Sequence, residues 1–126
     1  MRILLVDDSS FVLMVGRRNL EAAGHQIVGE CFDGESAIQA ANRLRPDLVI
    51  VDIALPKKNG FEVSAKILED NAEIAVLAIS AIAEDWVKDK ALESGCYEFL
   101  AKPFDSGDLV KAAERSKDSK RSLRYG

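Results

Sequence analysis

The 126-residue chain has a single histidine, His25, and two cysteines, Cys31 and Cys96, which form no C-x-x-C pair. A Cys/His zinc site therefore has no ligand set, and a Ser-His-Asp triad would have to rest on His25 alone. Both cysteines read as small apolar core residues rather than as a disulfide. No apolar run approaches the roughly 18 residues of a membrane span. The first such run, Ile3 to Val6, meets Asp7 too soon to hold a secretory hydrophobic region. Neither G-x-x-x-x-G-K-[ST] nor G-x-G-x-x-G occurs, so no glycine-rich loop cradles a nucleotide. These gaps leave a cytoplasmic protein as the expectation.

What is present suits one globular domain. A 13.8 kDa chain with 48% hydrophobic and 30% charged residues can bury a core without staples. The net charge of −4 hides an asymmetry: residues 1–114 carry 12 lysines and arginines against 20 acids, whereas residues 115–126 carry five against one. The acidic body disfavours nucleic acid as the main partner. The basic end has no aromatic interleaving apart from Tyr125, so direct nucleic-acid contact ranks behind a fraying helix end or a linker. The expected division is a domain over residues 1–116 and a basic tail or linker stub over 117–126.

Short apolar runs alternate with helical stretches. Ile3–Val6, Gln26–Phe32, Leu48–Val51, Ile74–Ile79 and Tyr97–Leu100 read as strands. Helices follow each: Phe11–Ala23 behind an Asp/Ser N-cap signature and before Gly24; one carrying Ala37, Ala41 and Leu44 on a face; one carrying Phe61, Ala65 and Leu68; Ala83–Ser94; and Asp105 to about Ser116. Strands one, three and four are apolar almost throughout, as parallel strands covered on both faces are. The class is α/β: a doubly wound (βα)5 flavodoxin-like fold with a five-stranded parallel sheet of order 2-1-3-4-5.

In such sheets ligands bind beyond the carboxyl ends of the strands, where the order reverses. Asp7 and Asp8 follow strand one, Asp52 strand three, Ser80 strand four and Lys102 strand five. Strand two ends only in the turn residues Asp33 and Gly34. Three carboxylates in one crevice call for protonation or a cation. Oxygen donors with room for water and phosphate suit Mg²⁺ better than a full Ca²⁺ cage. A lysine, a hydroxyl and a nucleophilic carboxylate complete the requirements of phosphoryl transfer through an aspartyl phosphate.

With these residues in place, the sequence resembles the response-regulator receiver domains of two-component signalling, chemotaxis regulators among them. The resemblance covers about residues 1 to 115. It is carried by Val6-Asp7-Asp8-Ser9, by Val51-Asp52-Ile53 with Pro56 and Gly60, by Ile79-Ser80-Ala81, and by Leu100-Ala101-Lys102-Pro103-Phe104. It implies that Asp52 takes a phosphoryl group from a histidine kinase or phosphotransfer protein. Asp7, Asp8, Asp52 and the carbonyl of Ala54 would hold Mg²⁺. Ser80 and Lys102 would bind phosphoryl oxygens, Phe99 would move with Ser80, and the bond before Pro103 would be cis. Output would pass through the surface of the fourth helix, fifth strand and fifth helix, including Trp86, Val87 and the residues around Leu109, to a downstream protein, with dimerisation on phosphorylation left open.

Two positions depart from many members: Ala54 and Ile82, two residues beyond Asp52 and Ser80, are apolar. They flank the path of the water that hydrolyses phosphoaspartate, and the expectation is slow self-dephosphorylation. The rival reading is an aspartate-nucleophile phosphohydrolase. Such enzymes carry a second Asp two residues after the nucleophile, where this chain has Ser9 and Ala54. A switch that catalyses only its own phosphorylation and dephosphorylation, not a conventional enzyme, is the preferred reading.

Overall fold

The computed structural model describes the backbone of residues 1–125 and the side chains up to Asp118. Five strands, β1 (Arg2–Val6), β2 (Gln26–Cys31), β3 (Leu48–Asp52), β4 (Ala75–Ser80) and β5 (Glu98–Ala101), alternate with five helices. The helices are α1 (Ser10–Ala22), α2 (Gly34–Leu44), α3 (Gly60–Asp70), α4 (Asp85–Glu93) and α5 (Ser106–Tyr125). All four strand pairings are parallel, and the order is β2-β1-β3-β4-β5.

Alternation along the strands builds two cores. Leu4, Val6, Val49, Val51, Val76 and Ala78 face α2, α3 and α4, meeting Ile38, Ala41, Val63, Ile67, Val87 and Ala91. Ile3, Leu5, Leu48, Ile50, Leu77 and Ile79 face α1 and α5, meeting Leu13, Leu20, Leu109 and Ala112. With apolar side chains on both faces, β3 and β4 are buried end to end. Cys31 and Cys96 are buried free thiols, as their composition suggested.

The helix starts are chemically marked. Ser9, Asp33 and Asn59 each accept a backbone N–H from three residues on, and Asp105 does the same for Asp108 at the head of α5. Asp33 thus caps α2 rather than merely turning the chain. Gly24 and Gly95, both at positive φ, follow the ends of α1 and α4.

Some details differ from the sequence reading. Phe32 lies outside β2 and is half exposed. On α3, Ala65 faces solvent; the buried face is Phe61, Ser64 and Ile67 with Val63, and the Ser64 hydroxyl is satisfied by donating to the Gly60 carbonyl at 2.7 Å. Helix α4 is shorter than expected because Ala83 and Glu84 remain extended or capping. Helix α5 runs on to Tyr125 rather than stopping near Ser116, since nothing between Gly107 and Gly126 is glycine or proline.

Candidate functional site

The reversal of strand order falls between β1 and β3, which pair through Val6 and Val51. Asp7 follows β1 directly, and Asp52 ends β3, so both carboxylates stand at the carboxyl edge of the sheet, side by side. Asp7 is 1% exposed and Asp52 5%, while Asp8 reaches solvent. One oxygen from each of the three lies within 4.8 Å of the other two.

Backbone N–H groups and Lys102 anchor the two buried carboxylates. Asp7 Oδ1 accepts the Ser9 N–H at 2.9 Å, and Asp52 Oδ1 accepts the Ala54 N–H at 3.0 Å. Their other oxygens share Lys102, whose Nζ donates to Asp7 Oδ2 at 2.8 Å and Asp52 Oδ2 at 2.9 Å. Burial works to lower the Lys102 pKa, but the hydrogen bonds and charges of Asp7 and Asp52 together outweigh it and hold the ammonium above its ordinary value. Lys102 is itself placed by β5, its N–H donating to the Ser80 carbonyl at 2.8 Å. Three carboxylates against one ammonium leave two negative charges at the crevice. That surplus and an all-oxygen donor set fit a hard divalent cation such as Mg²⁺.

Ser80, 1% exposed at the end of β4, holds the next segment: its Oγ accepts the Ile82 N–H at 3.0 Å. Phe99 on β5 is half-buried and packs against the core under α2, α3 and α4. The Lys102–Pro103 bond is cis, as expected. Ala54 is exposed directly beside Asp52, and Ile82 is 48% exposed beyond Ser80. Trp86 is 56% exposed, its indole N–H donating to Glu84 Oε2 at 2.6 Å. One expectation is corrected: Val87 is 1% exposed in the core and offers nothing to a surface. It sits on the opposite side of α4 from the residues that face solvent. Leu109 is likewise buried, so only its neighbours can be reached.

Two features escaped the sequence reading. Gly60 presses against the peptide that carries Asp52: a Cβ there would lie 2.6 Å from the Asp52 carbonyl oxygen. The resemblance had pointed to Gly60 without giving a reason. The second is a groove of about 360 Å³ beside Lys102, lined by Phe11, Val12, Val15, Ala81, Pro103 and Phe104. Phe11 is 68% exposed at the head of α1. Only the tertiary placement reveals this exposed apolar rim.

The family model of the response regulator receiver domain matches residues 3–114. The chain is 37% identical to protein CcdB of Bacillus subtilis over 114 residues, covering 90% of this chain and 95% of that one. It is 29% identical to the chemotaxis protein CheY of Thermotoga maritima with the same coverages. The solved receiver domain of the response regulator NarL from Mycobacterium tuberculosis superposes with a TM-score of 0.89 at 29% identity, over 93% of this chain and 95% of that one. The chain belongs to the response-regulator receiver domains. It is a phosphorylation-dependent switch of two-component signalling, a class that takes phosphoryl groups from histidine kinases and acts on downstream targets. The phosphohydrolase reading is not favoured. Among the described residues no helix is long and apolar enough to cross a membrane.

Proposed function

We propose that Asp52 is the phosphoacceptor of a cytoplasmic switch filling residues 1–116, with 117–126 as a basic tail or linker. The observation that carries this is the clustering of Asp7, Asp8 and Asp52 at one crevice, with Lys102 donating to Asp7 and Asp52. Asp52 is held by two hydrogen bonds that fix its carboxylate at the crevice. One of its oxygens attacks the phosphorus of a phosphohistidine on a kinase or phosphotransfer protein. The P–N bond breaks, its electron pair returns to the donor imidazole, and an acyl phosphate forms on Asp52. Asp7, Asp8, Asp52 and the Ala54 carbonyl would hold Mg²⁺, which when bound neutralises phosphoryl oxygens. Lys102 supplies a fixed ammonium to the same oxygens.

Ser80 Oγ, which accepts the Ile82 N–H, then turns away to donate its own O–H to a phosphoryl oxygen. That leaves a backbone donor without its partner, a cost of about 1–3 kcal/mol if it stays buried and unpaired. The segment after β4 must therefore move, and Phe99 repacks with it. In this way a local charge biases the surface of α4, β5 and α5, which contacts a downstream protein or, in a dimer, a second copy. Trp86 belongs to that surface.

The test is incubation with Mg²⁺ and acetyl phosphate or beryllofluoride, followed by intact mass and Trp86 emission. A phosphoryl adduct that disappears in Asp52→Asn supports the reading. An adduct of equal yield in that variant removes Asp52 from the role.

A further inference from the structure

Helix α4 is held by little. It buries only Val87 and Ala91. Its N-cap residue, Glu84, makes no capping hydrogen bond, although the other four helices each have one. The Glu84 carboxylate is spent on the Trp86 indole instead.

The face opposite the buried pair is chemically distinctive. Asp85, Asp89 and Glu93 follow one another at i, i+4 and i+8, which stacks three carboxylates along one stripe. Like charges at that spacing destabilise a helix, and Glu93 adds a negative charge at the negative end of the dipole. None of the three is in an ion pair among the described residues, whereas Glu35, Asp70 and Glu98 each hold a lysine or arginine. The lysines of α4 do not relieve the stripe. Lys90 leans away over the Phe61 ring, 5.0 Å from its centroid, and Lys88, though exposed, pairs with none of the three among the described residues. Trp86 borders the stripe on one side and Leu92, 43% exposed, on the other.

We propose that this outer face of α4 is the docking surface for a basic protein segment with apolar anchors, in which Trp86 is the principal contact. The proposal rests on the reading of the chain as a phosphorylation switch and names the chemistry of its target. Charge complementarity decides the occupant: cations placed along Asp85, Asp89 and Glu93 replace a repulsion within α4 by three attractions. Trp86 and Leu92 supply the apolar area that the charges alone lack, and tryptophan is the side chain most enriched at binding hot spots. Nucleic acid and acidic peptides are repelled by the same stripe. The surface is wired to the site, because Ser80 holds Ile82 and the exposed segment Ala81–Trp86 connects them. When Ser80 turns toward a phosphoryl group, Glu84 and Trp86 move with that segment.

The probe is a fluorescein-labelled amphipathic peptide with leucines at i, i+4 and lysines between them, beside a counterpart in which glutamates replace the lysines. Anisotropy is read with the full chain in Mg²⁺, with and without beryllofluoride, at low and at physiological salt. Binding of the basic peptide alone is expected, with affinity altered by beryllofluoride. A loss of about tenfold or more is expected in Trp86→Ala and in Asp85→Asn/Asp89→Asn/Glu93→Gln. Trp86→Phe should recover part of the affinity, and far-UV circular dichroism confirms that each variant is folded. A control variant, Glu35→Gln/Glu62→Gln/Glu69→Gln, removes as much charge from α2 and α3 and should bind normally. Equal weakening in that control, binding of the acidic peptide, or indifference to Trp86→Ala overturns the proposal. So does a dimer formed through this face on loading, which would make a second copy the occupant. Intact mass with acetyl phosphate is read in parallel: an adduct without peptide binding refutes the docking surface alone, and no adduct refutes the switch reading beneath it.

Discussion

Gly60→Ala is the substitution on which the positioning of Asp52 is most exposed to test. A Cβ at residue 60 would lie 2.6 Å from the Asp52 carbonyl oxygen and 2.6 Å from Ile53 Cα. Such contacts settle near 3.5–4.0 Å, so roughly 1 Å must be found. The atoms in the way are backbone. Ile53 is pinned to β4 by its N–H on the Ile79 carbonyl at 2.9 Å and to Gly60 itself by a 2.8 Å bond. No rotamer change relieves the overlap, and either α3 lifts off or the end of β3 shifts. Overpacking of this kind costs about 1–3 kcal/mol, and because Gly60 is the first residue of α3 the gain from replacing a mid-helix glycine does not offset it. A displacement of about 1 Å at the nucleophile can lower the rate on the order of a hundredfold. Gly16→Ala is the matched comparison. Its Cβ would find Leu5 Cδ1 at 3.6 Å and Leu109 Cδ2 at 3.9 Å, ordinary contacts at a small internal void of about 20 Å³. Gly16→Ala should therefore stabilise by about 0.5–1 kcal/mol and phosphorylate normally. Urea unfolding and the initial rate of phosphorylation by acetyl phosphate measure both. A Gly60→Ala protein that is phosphorylated at the parental rate would refute the reasoning, whatever its stability.

Asp8, the one carboxylate of the crevice without a cation partner, should be dispensable to folding but not to the metal. Asp8→Asn is expected to raise stability in metal-free buffer by about 1 kcal/mol through relief of repulsion and to abolish the Mg²⁺-dependent increase in melting temperature. Burial pushes the Cys96 thiol up to about 11, from 9.0. The unfolded chain ionises first, so this contribution is intact below pH 9 and is lost as pH rises toward 11. The loss should reach about 2–3 kcal/mol and shrink in Cys96→Ala, followed by urea unfolding across that range. Ala54→Asn combined with Ile82→Glu should shorten the lifetime of the phosphoaspartate, read by phosphoryl decay; slower decay than in the parent would sink the assignment of these two positions. Phe11→Ala should slow phosphorylation by a phosphohistidine protein while leaving that by acetyl phosphate unchanged, because Phe11 rims the groove beside Lys102 but touches neither carboxylate.

The fold was readable because its signals are local and repeated: apolar runs of strand length, a capping signature ahead of α1, and Gly24 and Gly95 after α1 and α4. The site was readable for a different reason. In a parallel sheet, chemistry-bearing residues can meet only where strands end on the same edge, so residues far apart in the chain, Asp7, Asp52, Ser80 and Lys102, need no contact information to be grouped. What stayed hidden depends on which side of a helix faces inward. On α3 the hydroxyl of Ser64 disguised the buried stripe, since a serine that satisfies itself on the i−4 carbonyl packs like an apolar residue. On α4 the same uncertainty put Val87 on the surface, because only two apolar side chains mark the inner face of a nine-residue helix. That weakness of signal is itself physical information. A helix whose sequence barely says which way it faces is one that little burial holds in place. Here it is also the helix whose leading segment hangs from the Ser80 hydroxyl, so on the proposed mechanism the element hardest to orient from sequence is the one a phosphoryl group would most readily displace.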